Sequence, residues 1–184
     1  MPFVNTSLLS VPVVETARLL LRGYQAEDYA AYVAMCQEPA FFRYLSPEPT
    51  PAEEVWKLLL RGAGHWAVMG YGFWAVEEKA TGQFLGTIGF GNLMRDIDPP
   101  IGNTPEIGWV LAPHAHGQGY ATEAVTAALA WATEHFGPVR TMCIIDPENE
   151  ASLWVAAKFG YREYALATYK NKPILMLERA GNGA

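Results

Sequence analysis

One stretch restricts the possible folds more than any other: "EIGWVLAPHAHGQGYATEAV", residues 106–125. It reads as a short strand (106–111), a Gly-x-Gly turn, and the start of a helix that runs to about Phe136. Val125, Ala128, Leu129 and Ala132 form the apolar stripe of that helix, and Gly137-Pro138 stops it. "VRTMCIID" (139–146) then reads as a strand. The unit is a strand–helix–strand crossover, the connection a parallel strand pair needs.

The surrounding chain reads differently. "ARLLLRG" (17–23) suggests a strand, and "QAEDYAAYVAMCQE" (25–38) a helix with Tyr29, Tyr32, Val33 and Cys36 at helical spacing, ended by Pro39. "SPEPTPAEEVWKLLLRG" predicts a second helix with Thr50 as N-cap, Pro51 at the first helical position and Glu53 completing a capping box. "YGFWAVEE" (71–78) and "QFLGTIGFGN" (83–92) flank a turn at "KATG" and read as a hairpin. "LMRDIDPPIGNTP" (93–105) is a loop by its Pro, Asp and Asn content. "NEASLWVAAKFG" (149–160) predicts a helix capped by Asn149 and Gly160, and 161–169 and 172–178 two closing strands. The sum is a single mixed α+β domain over 1–184. Its mainly antiparallel sheet has six to seven strands and is flanked by about four helices.

Composition narrows the function. Half the chain is hydrophobic (51%), enough for a core. No run approaches the roughly 18 apolar residues of a membrane span, and the N-terminal "MPFVNTSLLSVPVVETARLLL" lacks the basic flank and cleavage site of a leader. Cys36 and Cys143 are far apart and form no CxxC, which fits a reducing cytoplasm. The net charge of −6, without a basic patch, argues against nucleic acid as a partner.

The glycine turn admits three readings. A dinucleotide fingerprint wants G-x-G-x-x-G at a first βα turn, but Thr122 stands at the third glycine. A zinc site needs three or four ligands, and His114 and His116 have no other ligands at suitable spacing, so no metal is expected. Phosphate suits the pattern better. A glycine turn entering a helix aims several unpaired N–H groups at one point, reinforced by the helix dipole. A plain turn using glycine for its positive φ remains open on this stretch alone.

Three motifs in order carry a resemblance. "EIGWVLAPHAHGQGYATEAV" is similar to the acetyl-CoA-binding motif of the GNAT superfamily of N-acetyltransferases. "NEASLWVAAKFGYRE" (149–163) resembles that family's N-x-x-S helix. "ETARLLLRGYQAEDYAAY" (15–32) resembles the opening of the branch with the ribosomal-protein N-terminal acetyltransferases, RimJ and RimL. The resemblance implies a GNAT-like acyl-CoA N-acyltransferase fold. It also implies acetyl-CoA as co-substrate and direct acetyl transfer to a primary amine, on a protein N-terminus or a small molecule, by a monomer or homodimer. A non-catalytic acyl-CoA-binding or sensor protein of the same fold is the alternative.

The resemblance also assigns residues. The backbone of Trp109, Val110 and Leu111 would pair with the pantetheine arm in a gap beside the strand. The amides of His116, Gly117, Gln118, Gly119, Tyr120, Ala121 and Thr122 would hold the pyrophosphate, with a further bond from the His116 side chain. Asn149 would reach the pantetheine from the far side. Glu106 is the expected base, with Asp96 and Asp98 as neighbouring carboxylates that steer a cationic amine, and Ser152 the expected acid near the sulfur. Glu123 is expected to serve the helix terminus, and Cys143 to be packing. The acceptor pocket falls to Tyr44 within "FFRYL" (41–45), Trp74 and Phe90, with Trp66 nearby. Two positions depart from the family pattern: His114 stands where Gln or Arg is usual, and Ala156 stands where many members carry a tyrosine acid.

Overall fold

The computed structural model describes residues 11–181. The ends of the expected 1–184 domain, including residues 1–10 of the expected leader-free N-terminus, lie outside the described residues. The elements in order are β1 (Val14–Glu15), β2 (Leu19–Arg22), α1 (Asp28–Gln37), α2 (Pro39–Phe42), α3 (Ala52–Met69), β3 (Phe73–Glu78) and β4 (Phe84–Gly91). They continue with β5 (Glu106–Leu111), a 3-10 turn (Pro113–Ala115), α4 (Tyr120–Phe136), β6 (Thr141–Ile145), α5 (Glu150–Lys158), β7 (Arg162–Tyr169) and β8 (Lys172–Arg179). Eight strands form one sheet in the order β1-β2-β3-β4-β5-β6-β8-β7. Every neighbouring pair is antiparallel except β5 and β6, the two strands joined by the α4 crossover.

The α+β architecture is as the sequence reads, with three corrections. The eighth strand is the two-residue β1, too short to carry an alternating pattern. Pro39 ends α1 but also opens α2, since its fixed φ suits a first helical position. The third concerns α3, which does not stop at Gly62 and which no side chain caps, Pro51 standing at its N-cap. Gly62 lies inside the helix because a Cβ there would sit 2.4 Å from Tyr24 Cε2. Its glycine serves close packing and not a turn.

Each face of the sheet is covered. Leu21, Trp74, Ile88 and Ile107 point to the face packed by α4, with Val125, Ala128 and Leu129, and by Val155 and Ala156 of α5. Each large apolar side chain buried there contributes roughly 1.5–3 kcal/mol. The opposite face is divided. Tyr32 and Cys36 of α1 and Val55 of α3 cover Ala75, Phe84 and Ala112. Ile97 and Ile101 of the 92–105 loop cover Met142, Ala167, Ile174 and Met176. Arg22 joins the strands to the start of α1, with Nη2 at 2.7 Å from Asp28 Oδ1 and Nε at 2.7 Å from Glu77 Oε2. His65 of α3 accepts from Asn92 N at 3.1 Å and so fixes the start of the loop. The divided face leaves a hollow where loop and sheet meet, and Glu106 opens β5 at that point.

Candidate active site

The crossover opens the sheet. β5 pairs with β4 along its whole length, from Gly91↔Glu106 to Gly86↔Leu111. Its parallel register with β6 consists of Glu106↔Met142, and beyond that pair the strands part. Ala112 N donates to Leu85 O at 2.8 Å. Antiparallel alternation therefore turns the amide of Val110 onto β4 and those of Trp109 and Leu111 into the gap. Two of the three expected backbone positions face the opening, and Val110 does not.

At the wide end of the gap the chain makes its glycine turn. Gly117 and Gly119 adopt φ of +73° and +80°, values that cost an L side chain about 1–2 kcal/mol. A Cβ at Gly117 would meet nothing within 4 Å, and at Gly119 Arg18 Nη2 at 3.6 Å. Gly117 thus fronts open space, and Gly119 faces Arg18 alone. Among the described residues, no protein acceptor meets the N–H groups of 117–122, and the first bond of α4 runs from Glu123 N to Gly119 O at 3.0 Å. The dipole of a 17-residue helix points the same way.

His116 stands just outside this cradle. Its backbone N–H donates to Pro113 O at 3.1 Å, and Nε2 lies 2.9 Å from Leu111 O. A carbonyl accepts, so Nε2 is the donor in this contact. The cradle of unpartnered backbone N–H groups accordingly begins at Gly117.

The cradle is braced by the chain just before β2. Arg18 Nη1 donates to Gln118 O at 2.9 Å, Arg18 Nε to Glu123 Oε2 at 2.7 Å, and Thr16 Oγ1 to Glu123 Oε1 at 2.6 Å. Burial pushes the Glu123 carboxyl up, but the bonds from Thr16 and Arg18 outweigh it and the net direction is down. Tyr120 donates to Glu78 Oε1 at 2.5 Å and lies under the Arg18 guanidinium, 4.3 Å from its ring centre. Nothing local in the sequence marks Arg18 for this role, because 100 positions separate it from Gln118.

The narrow end of the gap is different in kind. Glu106 is buried, and both its oxygens are taken by Arg95: Nε to Oε2 at 2.6 Å and Nη2 to Oε1 at 2.7 Å. Arg95 lies over Tyr169, 4.8 Å from the ring centre. Burial pulls the guanidinium pKa down, Glu106 raises it, and the net direction is up. A hollow of about 160 Å³ lies over this pair, lined by Asn92, Leu93, Thr104 and others from the 91–104 segment. Asp96 and Asp98 sit on the same loop but are exposed and outside the hollow. Sequence reasoning missed Arg95, although it is the one basic residue in 93–105 and precedes a strand that opens on an acid.

Two of the three expected acceptor residues belong elsewhere. Trp74 and Phe90 point to the α4 face: Trp74 packs edge-on to Trp66 and Trp131 and donates Nε1 to Pro12 O at 2.8 Å. Cross-strand partners share a face, and Phe90 opposes Ile107, one residue along from Glu106. The aromatic on Glu106's side is Phe73. A Cβ on Gly108 would lie 3.1 Å from Phe73 Cε1, and one on Gly91 3.1 Å from Phe73 Cε2. Phe73 and Trp74 part in this way because successive side chains alternate. Tyr44 does come to this end of the molecule, since Lys172, which opens β8 just after the turn that follows Tyr169, reaches Arg43 O at 3.5 Å.

The remaining candidates are on α5 and β6. Asn149 Oδ1 accepts from Ser152 N at 3.1 Å, an N-cap, and among the described residues no acceptor meets the Asn149 amide –NH₂. Ser152 is half-buried in that first turn. Ala156 is fully buried against the α4 face and offers no acid. Burial pushes the Cys36 thiol up to about 11 and the Cys143 thiol higher still, with Glu106 adding to it, so neither is a thiolate nucleophile near neutral pH. Among the described residues, no group of three or more His, Cys, Asp and Glu side chains is placed to hold a metal ion, and no helix is long and apolar enough to cross a membrane.

A family model described as an acetyltransferase (GNAT) domain matches residues 18–162. The chain is 37% identical over 114 residues to the uncharacterized protein YkkB of Bacillus subtilis, and the match spans 60% of this chain and 63% of that relative's length. The fold resembles a putative GNAT-family acetyltransferase from Bordetella pertussis, with a TM-score of 0.80, 27% identity and coverage of 92% of this chain and 100% of the other. It also resembles RimL, a ribosomal L7/L12 α-N-protein acetyltransferase solved with coenzyme A, with a TM-score of 0.74, 19% identity and coverage of 92% and 98%.

Proposed function

Because the chain belongs to the acetyltransferase (GNAT) domain family, we propose that it is an acetyl-CoA-dependent N-acetyltransferase that moves an acetyl group directly to a primary amine on a small molecule or a protein N-terminus. One observation carries this reading. The unpartnered N–H groups of 117–122 open onto the free edge of β5, and that edge leads to Glu106. The edge from Leu111 to Glu106 is about 17 Å long at 3.3–3.4 Å per residue, a track for an extended arm running from a phosphate cradle to a carboxylate.

In this reading the amides of Gly117, Gln118, Gly119, Tyr120, Ala121 and Thr122 hold the pyrophosphate. The two glycines suit that group because both adopt positive φ and carry no side chain, which lets the backbone come close to a ligand. The backbone of Trp109 and Leu111 pairs with the pantetheine, and the Asn149 amide meets it from α5. Bound acetyl-CoA supplies the activated acyl group as a thioester. An amine with a pKa of about 10.4 arrives protonated, and Glu106 takes its proton once Arg95 releases an oxygen. An N–H of the β5 edge donates to the carbonyl oxygen as charge builds there, and Ser152 donates toward the departing sulfur. The free, buried cysteines suit a cytoplasmic setting.

A second reading, an acyl-CoA-binding sensor without turnover, draws on Ala156 and on Arg95 occupying both Glu106 oxygens. Thiol release measured across a panel of amines and peptides separates the two. Release with at least one amine supports the enzyme; tight acetyl-CoA binding with no release from any supports the sensor. Calorimetry that showed NAD binding in preference to acetyl-CoA would overturn both.

A further inference from the structure

The Arg95–Glu106 pair identifies the acceptor more closely, given the acetyl-transfer reading above. A fork-to-fork ion pair taken from water gains little net stability over apolar packing of the same volume, and removing one partner strands the other charge. Here the side chains are 18% and 8% exposed, so both charges are largely withdrawn from solvent. The fork already holds one lone pair of each Glu106 oxygen, so an ammonium that reaches Glu106 competes with Arg95 for its charge. Transfer of the amine proton to Glu106 then neutralises the carboxylate altogether. Arg95 cannot lose its charge to match.

The charge count is therefore fixed. The resting hollow carries one positive and one negative group. With a simple monoamine bound and its proton on Glu106, it carries a guanidinium without a counter-ion. Among the described residues the hollow's wall supplies none, because Glu106 is its one acidic lining residue and Asp96 and Asp98 are exposed outside it. Tyr169 offers a ring face to Arg95, not an anion. An acceptor that brings its own carboxylate solves the problem, since the guanidinium fork that grips Glu106 is built to grip another carboxylate in the same bidentate way.

We propose that the acceptor is a small amino-acid-like zwitterion, a primary amine bearing a carboxylate, whose carboxylate takes the place of Glu106 on Arg95 while its amine takes the place of Arg95 on Glu106. The exchange conserves charge and hydrogen bonds on both sides. Atoms balance as well: the ammonium gives one proton to Glu106, the N–C bond forms, the C–S bond breaks, and the second proton lost by the nitrogen goes to the departing thiolate to give the free thiol. Arg95 is on this account a specificity determinant that touches the substrate's far end.

The test is a matched acceptor series read by thiol release: α-amino acids against their amides, and ω-amino acids against alkylamines of the same length, with a peptide beginning in aspartate as a separate arm. The expected result is at least a roughly tenfold higher kcat/KM for the free carboxylate-bearing amines than for their neutralised partners and for the peptide, about the discrimination one charge-assisted bond gives. Arg95→Gln should reduce that ratio to within about twofold, and Arg95→Lys, which keeps the charge without the fork, should leave it intermediate. Amides and alkylamines that match the amino acids overturn the proposal, as does a ratio unchanged in Arg95→Gln. A preference for the acidic peptide also overturns it, moving the acceptor to a protein N-terminus. If acetyl-CoA binds and no amine releases thiol, the enzymatic reading fails. The proposal is then decided by calorimetry with the same compounds, where tighter binding of the carboxylate-bearing probes supports it and equal binding overturns it.

Discussion

The two ends of the gap beside β5 are built from different materials. The wide end is backbone: the N–H groups of 117–122 and the inward amides of Trp109 and Leu111, with glycines that keep side chains away. The narrow end is side chains: Glu106 from β5, Arg95 from a loop, Phe73 from β3 and Tyr169 from β7. A site made of backbone binds any chain-compatible phosphate ligand and tolerates side-chain change. A site made of converging side chains is specific and can be changed one residue at a time. The difference matches the division of labour in the proposed reaction, in which the acyl donor is common to a family and the acceptor is particular to a member.

The strongest challenge to this comparison uses two neighbours, Phe73 and Trp74, which share a strand but not a face. Trp74→Ala should cost about 3–5 kcal/mol of stability in denaturant unfolding, as for other large core aromatics. Phe73→Ala should cost roughly 1 kcal/mol, since it is half-buried, and raise the amine KM about tenfold with the acetyl-CoA Kd unchanged. The reverse pattern would exchange the two faces. Next in size is Gly119→Val. It forces a branched side chain into positive φ and into the cradle, and losing one or two charge-assisted bonds at about 1.5–3 kcal/mol each should raise the acetyl-CoA Kd roughly 100-fold. An unchanged Kd by calorimetry would remove the cradle from the donor site.

The smallest effect concerns the brace under the cradle. Folding holds the Glu123 carboxyl below its ordinary value. Its contribution is therefore complete above the unfolded value of about 4.3 and fades as pH falls through the lower folded value. Glu123→Gln should cost about 1 kcal/mol or less at pH 7, Arg18 being partly exposed, and the difference from the parent should shrink below about pH 4. A difference that grows in acid would contradict the assigned direction.

The same contrast explains what was legible in the sequence. The strand at 106–111, the glycines at 117 and 119 and the cap at Asn149 are local signals, each fixed by neighbours a few residues away, and the structure has them where the pattern puts them. The narrow end is assembled from residues spread between Phe73 and Tyr169, so no local pattern announces it. Strand β3 is apolar on both faces over its first four residues, so periodicity offers no way to choose Phe73 over Trp74. The sequence stretch that predicts the second helix ends at Gly62, whereas the helix runs on to Met69 because that glycine serves packing against Tyr24.

The proposed reaction turns on Glu106 at the narrow end, and Glu106→Gln tests it most directly. The substitution keeps the size of the side chain and removes its ability to take a proton. Turnover at neutral pH should fall by about 10²–10⁴, the usual contribution of a positioned general base, while the acetyl-CoA Kd stays essentially that of the parent, since the proposal places the donor on backbone at the other end. Turnover equal to that of the parent protein would contradict the account.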